Sequence, residues 1–222
     1  MTIELTWAGH SCVRVQKDDF TLVIDPGFVS LANAAADADA LLISHEHIDH
    51  YDVTKIAAAV AARPGLPIYT NPSVAALLEQ SGAASGGKVR IVGHGDNLTI
   101  GGIPVQIHGE WHAPIHRDIK PVRNVGFLID RKFFHPGDAL TDPHTHIDLL
   151  TCPLLGLYTK NGELVDWIRR LRPNRVAPVH DFGLTDLGKS GEDGFFAKDP
   201  SQLAPGTGSA YFRPAVGSPI PL

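Results

Sequence analysis

The chain has 222 residues, 43% of them hydrophobic and 19% charged, which supports one globular domain over residues 1–222 with a sizeable core. Its 19 Lys and Arg against 24 Asp and Glu give a formal net charge of -5, so composition offers no basic surface for nucleic acid. No run approaches the roughly 18 apolar residues of a membrane span, Met1 to Thr6 lack the features of a secretory leader, and Cys12 and Cys152 are too few for a disulfide framework; a cytoplasmic protein is expected.

In chain order, Ile3–Thr6, Cys12–Val15 and Thr21–Ile24 alternate or run apolar over strand lengths, punctuated by Gly9, Asp18-Asp19 and Pro26-Gly27, and predict a β-meander. Ala40–Ile43 is a short continuous apolar run, as in a strand buried on both faces. Asp52 to Ala62 reads as a helix closed by Pro64-Gly65, and Asn71-Pro72 opens a second helix that Ser81-Gly82 ends, with a short strand over Leu66–Tyr69 between them. Leu98–Ile100 with Ile103–Ile107, and Val125–Ile129 with Lys132–Phe134, predict two hairpins; Leu149–Cys152 predicts a buried strand. Leu164, Ile168 and Leu171 recur at helical spacing, Arg175–Val179 gives a last strand, and the Gly- and Pro-rich tail from Gly183 is expected to wrap the domain. Helices outside two sheets fit this order.

Twelve histidines are the compositional oddity, since imidazole is the commonest metal ligand. Ser44-His45-Glu46-His47-Ile48-Asp49-His50 puts three imidazoles and a carboxylate into a loop directly after a buried strand. In extended backbone His45 and His47 point the same way, and Asp49 and His50 come round in the turn before the helix, so one loop can feed two metal sites. The alternative is a solvated loop in which Asp49 or Asp52 merely caps the helix; the density of imidazole favours ligation. His10 is either a turn residue or a substrate contact. His94, His144 and His146 read as surface residues, and Asp25 and Asp181 are candidates to accept the outward N–H of a liganded imidazole.

The motif His45-x-His47-x-Asp49-His50 resembles the signature loop of metallo-β-lactamase-fold hydrolases. Further along, His112, Asp138 in His135-Pro136-Gly137-Asp138, and His180 in Ala177-Pro178-Val179-His180 stand in that family's order. The resemblance implies an α+β, four-layer αβ/βα sandwich, with His45, His47 and His112 on one metal, Asp49, His50 and His180 on a second, and Asp138 bridging. Spacing alone does not choose among His108, His112 and His116; a position just past the strand that ends near Gly109 favours His112. The opening Trp7-x-Gly9-His10, Val23-Ile24-Asp25-Pro26 and the stretch from Ser44 to Asp52 are similar to the branch that contains ascorbate-6-phosphate lactonase and N-acyl phospholipid-cleaving enzymes.

That chemistry calls for two divalent ions roughly 3.5–4 Å apart that activate a shared water. Zinc is the first expectation, with manganese or iron as rivals. Asp49 would orient the water or take its proton, and His116 is expected as a catalytic proton donor. Arg117, with Lys120 and Arg123, forms either an anion-receiving loop for substrate or a solvated one. The expected partner is a small ester, lactone or phosphodiester. A di-iron redox protein is a competing reading, but that family places a carboxylate where His47 stands; a metal-binding protein without turnover is a third. Phe195, Phe196, Tyr211 and Phe212 in the tail would pack on the chain's own core or on a neighbour in a homo-oligomer.

Overall fold

The computed structural model describes residues 3–197 and 208–222, so residues 198–207 of the tail and the first two residues lie outside the described residues. The expected meander is present as β1 (Glu4–Trp7), β2 (Val13–Lys17) and β3 (Phe20–Ile24), paired antiparallel. Parallel to β3 lies β4 (Ala40–Ile43), buried at every residue as its unbroken apolar run requires. Crossover helices α1 (Val53–Ala62) and α2 (Pro72–Ser81) then lead to β5 (Pro67–Thr70) and β6 (Lys88–Ile91), both added in parallel.

The second sheet repeats this plan. Antiparallel β7 (Asn97–Ile100), β8 (Ile103–His108), β9 (Gly126–Ile129) and β10 (Phe133–His135) are followed by parallel β11 (Leu149–Pro153) and β12 (Arg175–Val179), with α3 (Asn161–Leu171) crossing between the last two. The tail does wrap: after α4 (Asp186–Phe196), β13 (Ala210–Tyr211) joins β12 and β14 (Pro219–Pro221) joins β1. Among the described residues each sheet thus has seven strands, ordered β14-β1-β2-β3-β4-β5-β6 and β13-β12-β11-β10-β9-β8-β7.

Period-two alternation sorts the side chains of each sheet into two layers. Leu22, Ile24 and Leu42 face Ile107, Phe127 and Phe133 across the centre, while Val23, Leu41 and Ile43 pack under Ile56, Val60, Val74 and Leu78 of the first helix pair. On the far side Leu128, Phe134 and Leu150 meet Leu164, Trp167 and Ile168 of α3 and Phe196 of α4. Three apolar layers between four layers of secondary structure make the α+β sandwich.

Helix α2 shows why local chemistry was readable. Asn71 accepts from the amides of Ser73 and Val74, Pro72 fills the first turn, and Gly82 ends the helix at φ 68°. Strand β6 and helix α4, like the short strands of the tail, escaped the pattern. Strand β6 is an edge strand exposed at all four residues, so it has no alternation to detect. Helix α4 carries Gly188, Gly191 and Gly194, each costing about 1 kcal/mol against alanine, and is held by the Thr185 cap and by buried Phe196. Phe196 stacks on Tyr211 at 5.8 Å, Phe195 and Tyr211 lean on the same cluster and Phe212 on the central one, so the tail aromatics pack, wholly or in part, on the chain's own core. No helix among the described residues is long and apolar enough to cross a membrane.

Trp167 is 1% exposed and its indole N–H donates to the Thr141 carbonyl at 3.1 Å. Trp167→Ala is expected to cost about 3–5 kcal/mol, read as a lowered midpoint in urea unfolding followed by circular dichroism.

Candidate metal centre

Strand direction decides where the polar residues collect. Since β1 runs antiparallel to β2, β2 antiparallel to β3, and β3 parallel to β4, the strands β1, β3 and β4 all end on the same edge of the first sheet. Just past those ends come His10, Asp25 and the segment His45 to His50. By the same reasoning β8, β10 and β12 share a direction, and their ends release His112, Asp138 and His180. Carboxyl ends of strands are where open sheets place their ligands.

There the residues form two groups, His45, His47, His112 and Asp138 in one and His10, Asp49, His50 and His180 in the other, and within each group one ligand atom per residue lies within 4.8 Å of the others. Asp138 joins the groups. Its Oδ1 lies 3.2 Å from His50 Nε2, and its Oδ2 lies 3.1 Å from His180 Nε2, 3.5 Å from His112 Nε2 and 3.9 Å from His45 Nε2. Asp49 Oδ2 accepts from His10 Nε2 at 3.0 Å and stands 2.9 Å from His180 Nε2.

Hydrogen bonds behind the cluster set the tautomers. Asp25 is fully buried; its Oδ1 accepts the Ser44 amide and its Oδ2 the Ser44 hydroxyl, both at 2.7 Å, and Oδ2 also takes His50 Nδ1–H at 2.8 Å. Having given its proton to Asp25, the Ser44 oxygen accepts from His45 Nδ1 at 3.0 Å. His112 Nδ1 donates to the Ala113 carbonyl at 2.6 Å, and His180 Nδ1 to the Leu155 carbonyl. Four imidazoles therefore spend Nδ1–H outward and leave Nε2 facing inward, the arrangement in which histidine ligates a metal. Asp181, the other candidate acceptor, instead pairs with Arg213.

A metal fits this chemistry. His50 Nε2 and Asp138 Oδ1 are buried and neither makes a well-directed hydrogen bond, although unpaired buried polar atoms are costly. Mixed imidazole and carboxylate donors suit zinc, manganese or iron. The electrostatics point the same way. Burial, reinforced by the His50 charge, holds His45 well below the usual imidazole range. Burial opposes charge on His180 too, but hydrogen bonding to Asp138 and Asp49 wins and raises it to about 9. His50 is raised well above its ordinary value because Asp138 and Asp25 outweigh desolvation, while Asp138 is held low against its own burial by His50, His112 and His180. Carboxylates buried this deeply draw positive charge to themselves.

Three of these positions have left-handed backbone, His10 at φ 51°, Asp25 at φ 48° and His180 at φ 57°, a conformation that costs of order 1 kcal/mol or more and concentrates at functional sites. Close approaches explain two glycines. A Cβ on Gly27 would sit 1.8 Å from the Asp49 carbonyl oxygen, and one on Gly137, at φ 62°, would sit 2.3 Å from Asn124 Oδ1. Asn124 was not singled out in the sequence, yet its side chain donates to the Pro136 carbonyl and accepts from the Asp138 amide, clamping the turn that presents Asp138.

Other expected site residues lie elsewhere. His116 has a side chain 58% exposed, its Nδ1 accepts from the Asp118 amide, and it belongs to neither group; Arg117 is 88% exposed beside Asp118. The side chains of His116 and Arg117 thus point to solvent, while Ile115, Ile119 and Lys120 of the same loop line a small cavity with His47 and His112. Arg123 stacks on Trp111 at 4.0 Å. His108 ends β8, and His94 receives the Gly109 amide. His10, left open as a turn or a contact, joins the second group.

Comparison with known proteins agrees with this geometry. The beta-lactamase superfamily domain model matches residues 4–180. Protein Rv0786c of Mycobacterium tuberculosis is 33% identical over 184 residues, 80% of this chain and 84% of that protein. A UPF0173 metal-dependent hydrolase of Xanthobacter autotrophicus is 30% identical over 120 residues, 50% of this chain and 49% of that protein. Among solved structures, the metallo-beta-lactamase fold protein YhfI from Bacillus subtilis superposes with a TM-score of 0.72 at 17% identity, covering 99% of each chain. From residue 4 to residue 180, over the whole span that carries its histidine and aspartate clusters, the chain belongs to the beta-lactamase superfamily, in its metallo-β-lactamase fold.

Proposed function

We propose that this metal-dependent hydrolase cleaves a small ester or lactone with an apolar body, using a pair of divalent ions, zinc first and manganese or iron as alternatives. The observation that carries this reading is Asp138, whose two oxygens face histidines of both groups and which can therefore bridge two ions. His45, His47 and His112 would hold one ion, and Asp49, His50 and His180 the other, with His10 close enough to serve as a further donor to the second. The ions would lower the pKa of a shared water toward neutrality and polarise the substrate's oxygen. Asp49, fixed by His10 and His180, is the group to orient that water and accept its proton.

The surroundings support an apolar substrate. Ile48, Phe28, Phe182 and Leu157 are 66% to 87% exposed. All four belong to segments tied to the cluster: Ile48 lies between His47 and Asp49, its carbonyl receives the Phe28 amide, Phe182 is 6.4 Å from His10, and Leu157 shares a loop with the Leu155 carbonyl that holds His180. Exposed apolar side chains so near a polar centre would suit the apolar body of a substrate. A phosphodiester is the second reading, favoured by Lys120, which lines a small cavity with His47 and His112. The two buried, unpaired cysteines accord with a cytoplasmic location.

Elemental analysis of the purified chain should find close to two ions, with loss in His112→Ala and none in His116→Ala; a metal-free parent after reconstitution with zinc, manganese and iron would overturn the reading. Asp25→Asn, which removes the charge behind His50, should weaken metal affinity by about 10–100-fold in a chelator competition titration. Across esters of increasing acyl length, kcat/KM should rise, and a phosphodiester series outperforming them would favour the second substrate class.

A further inference from the structure

Tyr158 stands out among the groups around the clusters, because its hydroxyl is buried without a well-formed hydrogen bond. Leaving such a donor unpaired costs about 1–3 kcal/mol, so a natural site tends to reserve one for a ligand. The ring packs edge-on against His112, of the first group, at 4.8 Å and lies 6.4 Å from His180, of the second. The Asp138 carboxylate lies beside the hydroxyl. The same side chain helps line a cavity of about 340 Å³ with Trp111, His112, Leu140 and Thr141.

Its placement is built rather than incidental. The loop after β11 is closed by the Thr159 hydroxyl, which accepts the Gly156 amide at 2.9 Å and lies within hydrogen-bonding distance of the Leu154 and Gly156 carbonyls. Within it, the Leu155 carbonyl takes His180 Nδ1–H. A Cβ on Gly156 would come within 2.4 Å of the Tyr158 ring, so glycine is required for the phenol to lie where it does. One five-residue segment thus orients an imidazole of the cluster and brings a phenol beside His112 and within 6.4 Å of His180.

We propose that Tyr158 is a catalytic residue whose hydroxyl donates a hydrogen bond to the acyl oxygen of the bound substrate, at the neck between the metal clusters and the 340 Å³ cavity. This rests on the ester or lactone reading above. The carboxylate product carries the same oxygen, so butyrate is a suitable unreactive probe. In the zinc-reconstituted protein, Tyr158→Phe should keep the ring packing and the parent's zinc content, weaken butyrate about tenfold or more in calorimetric titration, and lower kcat on short esters by about 10–100-fold. Full zinc content with parent-like butyrate affinity would overturn the role of Tyr158 and leave the hydrolase reading intact. A zinc-loaded parent that itself fails to bind butyrate would also overturn it. Absence of zinc from both proteins would remove the metal reading and the proposal together.

Discussion

Asp138 carries its charge at a point where 2% of the residue is exposed, in an interior that solvates ions poorly. A lone buried carboxylate would take up a proton; this one stays ionised because His50, His112 and His180 surround it. The rest of the centre follows from meeting that demand. His50 must present Nε2 inward, so its other nitrogen needs an anion behind it, and Asp25 supplies one. Asp25 in turn is a buried charge, satisfied by the Ser44 amide and hydroxyl, and the hydroxyl's remaining lone pair fixes His45. Satisfying one buried group recruits the next until the chain of contacts reaches the Ser44 carbonyl, where Asn71 donates its amide while capping α2. A network so fully connected holds its members in one arrangement.

This polar network is compatible with the fold because it lies beyond the strand ends rather than between the sheets. The central layer is built from a continuous cluster of apolar side chains, from Leu5 and Leu22 to Phe127 and Phe133. Left-handed backbone at His10, Asp25 and His180 lets each chain segment leave its strand and turn across the edge. Gly27 and Gly137 let backbone approach where any side chain would collide with Asp49 or Asn124. The costs are local, and the packed layers beneath supply the stability that tolerates them.

Much of this was legible in the sequence, and for identifiable reasons. Strands β1 to β4 and β8 to β12 are half or fully buried, so their hydrophobic pattern reports burial directly, and α2 announces both its ends with Asn71-Pro72 and Gly82. The loop from His45 to His50 was readable because all its donors are local. The exposure of His116 was not readable, because one-dimensional spacing does not say which side chains of a loop face the cluster; its ring turns to Asp118 instead. Asn124 and Tyr158 were missed for a different reason: an amide and a phenol are common surface residues, and only the neighbouring turn at Gly137 and the clash at Gly156 reveal what they hold. Tyr158 did have one signal, its place in the loop that follows a buried strand, as His45 and His180 also follow theirs. The glycines of α4 hid a helix whose stability comes from Phe196 and the Thr185 cap.

Neither cluster is complete within one sheet. The first takes His45 and His47 from the loop after β4, and His112 and Asp138 from the far sheet; the second takes His10, Asp49 and His50 from the near sheet and His180 from the far one. A metal in either place would cross-link the halves, and because the unfolded chain has no preformed site, its binding energy would add to the stability of the docked sandwich. The tail acts at the same junction from the other end of the molecule. Arg213, gripped by Asp193 of α4, reaches Asp181 beside His180, while β13 and β14 seal one sheet each. His180 is thereby held through three separate routes: the Leu155 carbonyl, the Asp181–Arg213 pair and the ladder of β12. The last residue of the family pattern to appear in the sequence is thus the one that depends most on chain beyond residue 180, so the loop-rich tail, although its described residues supply no ligand, belongs to the physical basis of the site.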